Sequence, residues 1–255
     1  MKIYVPSTRR AGSTGAYCTL RNLPVEATLV VPLDEVKDYQ RFYSSRVVGT
    51  RAKGIAATRQ FILELHAAEN TQDPRLCMMD DDLRFYKRRT DDVGKFVDAT
   101  GDDCIRMIGA VHRELKTYAL VGTSAREGGN NQTVDEDNTR LLRLLAYNVD
   151  MLYEAKVDFG RIPVMEDFDV QLQLARKGYA SRMLSAWAQG QKGSGEAGGC
   201  STYRTMEVQA KAAHELHRLH PEFVKVREVL TKTSFGGGTR TDVTVYWKRA
   251  YASSQ

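Results

Sequence analysis

Several common catalytic signatures are missing from this sequence. It has no H-E-x-x-H, no P-loop and no nucleophile elbow, which removes the local patterns of zinc hydrolases, P-loop nucleotidases and α/β-hydrolases. Its four cysteines, Cys18, Cys77, Cys104 and Cys200, form no C-x-x-C pair, so neither a zinc knuckle nor a thioredoxin-like redox motif is expected. Cys77 sits inside an apolar run, and the scattered set suits reduced thiols in a cytoplasm. No stretch approaches 18 apolar residues, and Met1 leads straight into the strand-like Lys2-Ile3-Tyr4-Val5. An intracellular protein with no membrane partner is the expectation. There is no internal repeat and no long low-complexity tract.

What is present is ordinary in bulk. The chain has 255 residues, 42% of them hydrophobic and 27% charged, enough to bury a single substantial core. A net charge of +5 suits an anionic substrate or nucleic acid without requiring either. Strand-like runs at residues 3–5, 28–31, 75–79, 118–122, 142–147 and 180–184 alternate with helical patterns at 33–43, 55–69, 103–115 and 168–177. That alternation predicts an α/β fold, an open, mixed, mainly parallel sheet flanked by helices. Texture changes after Trp187. Residues 188–202, rich in Gly, Gln and Ser, read as a lid loop, followed by a helix at 205–219, a glycine turn at 236–238 and a last strand at 242–247. Residues 1–187 are thus expected to form the catalytic core and 188–255 a small C-terminal extension of the same domain.

The most informative residues are Asp80, Asp81 and Asp82, directly after the apolar run Leu76-Cys77-Met78-Met79. Like charges crowded at a strand end need either full solvation or a bound cation. Ligands in open α/β sheets gather at strand carboxyl ends, and polar loops at 7–15, 80–82 and 124–131 fall there. A divalent metal held by one or two of these carboxylates would keep positions open for diphosphate oxygens. Arg84, Lys87, Arg88 and Arg89 follow, either a solvated strip or a set of phosphate contacts, with Phe85 or Tyr86 available to stack on a base.

Two further segments carry candidate chemistry. Small residues at 54–58 open the helix that leads into the Asp strand, where Arg59 can reach an anionic group. Glu166, Asp167 and Asp169 begin another helix, either as caps complementing its dipole or as a general base, Asp167, with Glu166 and Asp169 positioning substrate groups. His214, His217 and His220 fan over about 120° of a helix, too wide for one compact site, and are read as packing and surface residues. Gly193-Ser194-Gly195-Glu196-Ala197-Gly198 matches G-x-G-x-x-G literally, but inside a long polar loop these glycines read as lid hinges rather than a dinucleotide site.

Taken in order, Val5-Pro6-Ser7, residues 54–59, the Asp triplet and Glu166-Asp167 resemble the motif series of GT-A-fold glycosyltransferases over roughly residues 1–185. The resemblance implies Asp80 toward the donor ribose and Asp82, with Asp80, on a Mn²⁺ or Mg²⁺. It implies Ser7, Arg9, Arg59 and Asp81 around a nucleotide-diphosphate sugar such as a UDP-sugar, and Asp167 as base in an inverting reaction. More narrowly, the chain is similar to the TET-associated glycosyltransferases of bacteriophages, including the stretches 198–205 and 240–247. That family is associated with sugar transfer to hydroxymethylated pyrimidines in phage DNA, which would make DNA the acceptor and, for duplex DNA, require the base to leave the stack. The alternatives are a glycosyltransferase acting on protein or glycan, a sugar nucleotidyltransferase, whose phosphate loop Ser7-Thr8-Arg9-Arg10-Ala11-Gly12 fits only in part, and a silent nucleic-acid-binding protein.

Overall fold

The computed structural model describes residues 1–13, 15–69, 72–191, 204–231 and 238–255. In chain order it contains β1 (Lys2–Pro6), α1 (Thr19–Asn22), β2 (Thr28–Pro32), α2 (Val36–Phe42), β3 (Arg46–Thr50), α3 (Ile55–Ala68), β4 (Arg75–Met79), β5 (Leu83–Arg88), β6 (Phe96–Asp98) and α4 (Gly101–Glu114). β7 (Leu120–Ala125), β8 (Glu136–Asp137), β9 (Leu144–Asn148), α5 (Val149–Glu154), α6 (Glu166–Ala175) and β10 (Ser181–Gln191) follow. The last elements are α7 (Met206–Leu219), β11 (Val224–Thr231), β12 (Gly238–Val245) and α8 (Trp247–Ala252).

A single mixed sheet in the order β3-β2-β1-β4-β9-β7-β10-β5-β6, with β8 beside β10, organises the chain. Strands β1, β2, β3, β4, β7, β10 and β6 run one way, and β9, β5 and β8 the other. Alternate residues of each strand feed opposite faces. Cys77 and Met79 of β4 pack with α4 residues Met107 and Val111, whereas Leu76 and Met78 pack with Ile62 and Leu63 of α3 and Val170 of α6. Leu76, Cys77, Met78 and Met79 are fully buried, each large side chain contributing about 1.5–3 kcal/mol over exposure.

Local signals explain the helices. Thr100 and Asp103 close a capping box at the start of α4, and the Thr205 hydroxyl accepts the Val208 N–H at 3.2 Å to start α7. The C-terminal segment docks on α6, where Phe168 and Leu172 pack with Ala213 and Leu216 of α7 and Val224 and Val243 of the β11–β12 hairpin. Among the described residues no helix is long and apolar enough to cross a membrane.

The expected strands and helices are present, with differences at their edges. β10 continues to Gln191, so residues 188–191 are strand rather than loop, and the lid and its glycines at 192–203 lie outside the described residues. The last strand ends at Val245, and Trp247 begins α8 instead of closing the strand. Sequence reading passed over β3, β5, β6, β8 and β11. In β5, Leu83 and Phe85 face the core while Arg84 and Tyr86 face the other side, an alternation obscured by the surrounding charges.

Candidate active site

Because β1 and β4 are parallel neighbours, the loops leaving their carboxyl ends meet, and the Asp triplet is fixed at that meeting point. Thr19 anchors its backbone. The Thr19 N–H donates to the Asp81 carbonyl at 3.0 Å, its hydroxyl donates to the Asp80 carbonyl, and Leu83 N–H returns a bond to Thr19 Oγ1 at 3.0 Å. Asp80 N–H donates to the Arg143 carbonyl at 2.9 Å, and Arg143 holds a left-handed φ of 65° at this junction.

The three carboxylates then diverge. Asp80 Oδ1 lies 3.3 Å from Arg59 Nη2. Asp81 accepts the Ser7 hydroxyl and the Arg10 guanidinium, and Ser7 Oγ is 2.7 Å from Tyr39 Oη. Asp82 Oδ2 is 2.9 Å from Arg10 Nη1. Ser7, Asp81, Asp82 and Arg10 therefore form one bonded group, with Asp80 beside it on Arg59. Arg9 is exposed, and its backbone N–H donates to Glu35 at 2.7 Å. Its φ of 56° turns the chain so that the following residue, Arg10, reaches the triplet. Sequence reading missed Arg10 and Arg143. The adjacent Arg9-Arg10 pair was a usable signal, but the backbone turn that chooses between them was not.

Arg59 is the electrostatic centre. Its side chain is buried, with Nη1 2.8 Å from Glu166 Oε1 on one side and Nη2 near Asp80 on the other. Burial disfavours its charge, but Glu166 and Asp80 outweigh that and hold the guanidinium firmly protonated. Among the described residues its Nε has no hydrogen-bond acceptor, and Nη1 meets Glu166 as an ion pair rather than as a well-directed hydrogen bond.

Glu166 and Asp167 open α6 after Met165, itself at a left-handed φ of 63°. Burial pushes the Glu166 carboxyl up to about 7, against the pull of Arg59 and with the added repulsion of Asp167. Burial likewise pushes Asp80 up to about 7, opposed by Arg59 and reinforced by Asp82 and Asp81. Asp167 is half-buried and close enough for its charge to be felt by Arg59, Glu166 and Tyr147. Gln171 fixes this helix start, bonding the Asp167 carbonyl at 3.0 Å and both backbone groups of Leu141 at 2.9 and 2.8 Å. Arg204, just ahead of α7, adds a positive charge that pulls the Glu166 carboxyl down, a contribution from the C-terminal segment that the sequence did not disclose.

Other expectations are corrected. Asp169 does not face the site: it is buried, with Oδ1 2.8 Å from His220 Nε2 and Oδ2 2.8 Å from Gln173 Nε2. Asp169 and His220 thus tie α6 to the end of α7, and His217 Nδ1 lies 2.7 Å from the Val224 carbonyl, the packing role expected of these histidines. Asp169→Asn is expected to cost about 1.5–3 kcal/mol in urea unfolding, the range for hydrogen bonds to a charged group. Turnover per folded molecule should be retained, and a selective loss of turnover would return Asp169 to the site. The basic run also does not form one strip. Lys87 pairs with Asp103 at 2.9 Å on the α4 face, whereas Arg84 pairs with Asp98 on the other. Arg88 spends its donors on carbonyls of Ser185, Val93, Gly129 and Asn130, Arg89 pairs with Asp91, and Phe85 is buried.

Among the described residues no three His, Cys, Asp or Glu side chains form a closed metal cage. The oxygen donors of Asp80 and Asp82 nonetheless suit a hard cation that keeps positions for phosphate oxygens. About a third of the Asp80 side chain, 32%, remains exposed against 6% for Glu166, so Asp80 is the member of the buried cluster that an entering cation can meet.

The family model described as TET-Associated Glycosyltransferase matches residues 1–199. Two curated relatives carry the name Beta-glucosyl-HMC-alpha-glucosyl-transferase. The protein of Enterobacteria phage T6 is 25% identical over 243 residues, and that of phage T2 is 24% identical, each alignment covering 87% of this chain and 82% of the relative. Among solved structures, residues 1–349 of S. aureus TarS superpose with a TM-score of 0.48 at 13% identity, over 85% of this chain and 66% of that one.

Proposed function

The chain belongs to the TET-associated glycosyltransferase family, and from that premise we propose that it moves a sugar from a nucleotide-diphosphate sugar to a hydroxyl carried by a hydroxymethylated pyrimidine of phage DNA, with a divalent metal at Asp80 and Asp82. The observation that supports this best is the Asp80–Arg59–Glu166 chain at the end of β4, two carboxylates bridged by one buried guanidinium. When bound, Mn²⁺ or Mg²⁺ supplies positive charge to the departing diphosphate. Arg59 adds a fixed positive charge beside the same anionic group, and Asp81, locked by Ser7 and Arg10, holds the first loop over the nucleotide. Asp167, at the helix start beside Glu166, takes the acceptor hydroxyl proton where configuration inverts. Proton NMR of the product anomer tests that role, because retention removes the need for such a base.

Both phage relatives are named for transfer to a β-glucosyl-HMC group, which favours a second form of the same reading, an acceptor base that already bears a sugar. The chemistry belongs in the cytoplasm of an infected cell, where phage DNA is made. Nucleoside mass spectrometry after incubation with Mn²⁺, a panel of sugar nucleotides, and DNA bearing either hydroxymethylcytosine or its β-glucosylated form should show a hexose mass increment on one of them. An unchanged mass for every donor with both DNAs would sink the DNA reading, and transfer to protein or free glycan would replace it.

A further inference from the structure

Among the described residues, the core packed under α3 and α6 on one face of the sheet includes no residue of β5 or β6. Leu120 of β7 packs on that helical side, and Ser124, four residues on, continues the same face until the chain leaves the strand at Arg126. There Arg126 folds back over β5 and β6, its guanidinium 5.6 Å from the Tyr86 ring centre and 5.7 Å from that of Phe96. Arg84 lies 6.0 Å from the same tyrosine ring. Burial and then the neighbouring Tyr17, on the loop after β1, push the Tyr86 phenol up, which puts Tyr17 beside that hydroxyl.

Gly190 forms the floor. A Cβ there would lie 3.0 Å from Arg126 Cβ, 3.1 Å from Tyr86 Cε2 and 3.2 Å from Glu127 Oε1, so a side chain at this position would press on three others at once. Glu127 connects this floor to the triplet: its Oε2 is 2.7 Å from Arg143 Nη1, and the Arg143 carbonyl holds the Asp80 N–H. Among the described residues Arg126 has no acidic partner, its side-chain bond being to Asn130 Oδ1 at 3.1 Å. A half-buried ring layered with a guanidinium that lacks a carboxylate is the chemistry that stacks an unpaired base and grips a phosphate of the same strand.

Resting on the DNA reading above, we propose that Tyr86, Arg126 and Gly190 form the acceptor platform. The extruded pyrimidine lies against the Tyr86–Arg126 layer, and Arg126 pairs with a neighbouring phosphate. Tyr86 and Arg126 are here positioning residues for the acceptor, separate from the groups assigned to the donor. This assignment replaces the basic run after the triplet, whose cations are divided between two faces.

Fluorescence anisotropy with a single-stranded oligonucleotide containing one hydroxymethylcytosine, and no sugar donor, reads the platform directly. Tyr86→Ala should weaken binding about 5- to 150-fold, the span of base–aromatic stacking, while Tyr86→Phe stays near wild type. Arg126→Ala should weaken binding and lower the slope of log affinity against log salt by about one phosphate contact. A thermal shift with UDP and Mn²⁺ checks that each variant retains its donor site. Because Arg126 lies beyond the end of β7, its variant reads the platform even if Tyr86→Ala disturbs the sheet. If wild type binds the oligonucleotide and Tyr86→Ala and Arg126→Ala match it in affinity and salt slope, the platform is wrong and the DNA reading stands. If wild type neither binds nor modifies DNA, both fall.

Discussion

The Arg59→Met variant is expected to lose about 3–5 kcal/mol of stability at pH 8, the range for breaking a buried ion pair by removing one partner. Arg59 and Glu166 are 5% and 6% exposed, so water cannot screen the charge left behind. The loss should depend on pH with a definite sign. In the wild type, burial raises the Glu166 and Asp80 carboxyls from ordinary values of 4.5 and 3.8 to about 7. Groups raised in the folded state contribute stability that is complete below their unfolded pKa and fades as pH rises through the folded one. Removing Arg59 takes away the charge that restrains both, so ionisation becomes still more costly above neutrality. At pH 5 both carboxyls bind protons and no longer need a cation, and the difference from wild type should shrink. Urea unfolding of both proteins at pH 5 and pH 8 checks this, and an equal difference at the two pH values would overturn it. The double variant Arg59→Met with Glu166→Gln should recover much of the loss, because no buried charge then lacks its partner.

Such coupling explains why parts of the site were legible in the sequence and others were not. The triplet could be read because four apolar residues precede three carboxylates, and β4 ends at Met79 with its side chains buried. Arg59 could be read because the small residues at 54–57 open a helix leading into that strand, and Glu166 and Asp167 because acids open α6. Sequence pattern reports which residues share an element, not which elements meet. The pairing of Arg59 with Glu166 spans more than a hundred positions and depends on α3 and α6 packing on one sheet face. The same limit applied to Asp169, whose acid looked identical to Asp167 at the helix start but whose position two residues on turned it to His220. At Arg9 and Arg143, left-handed backbone angles imposed by tertiary contacts decide which side chain arrives, and neither residue type announces them.

The Asp82→Asn variant should lose metal-dependent donor turnover by about 100-fold or more, because a neutral amide is a poor ligand for a hard divalent cation. Its fold should survive. Asp82 pairs with Arg10 at 2.9 Å, but Arg10 is also held by Asp81, so the amide leaves the guanidinium with a carboxylate. The contrast among the three aspartates carries the test. Asp80→Asn and Asp82→Asn should both abolish the thermal stabilisation given by Mn²⁺ with UDP. Asp81→Asn should retain a Mn²⁺-dependent shift of reduced size, since Asp81 is bound to Ser7 and Arg10 and acts through the first loop. Undiminished turnover and an undiminished Mn²⁺-dependent shift in Asp82→Asn would remove the metal from Asp82. Loss of the shift in all three variants alike would mean that the triplet acts as one electrostatic unit, because then the net charge of the cluster and not the identity of the ligand sets the affinity.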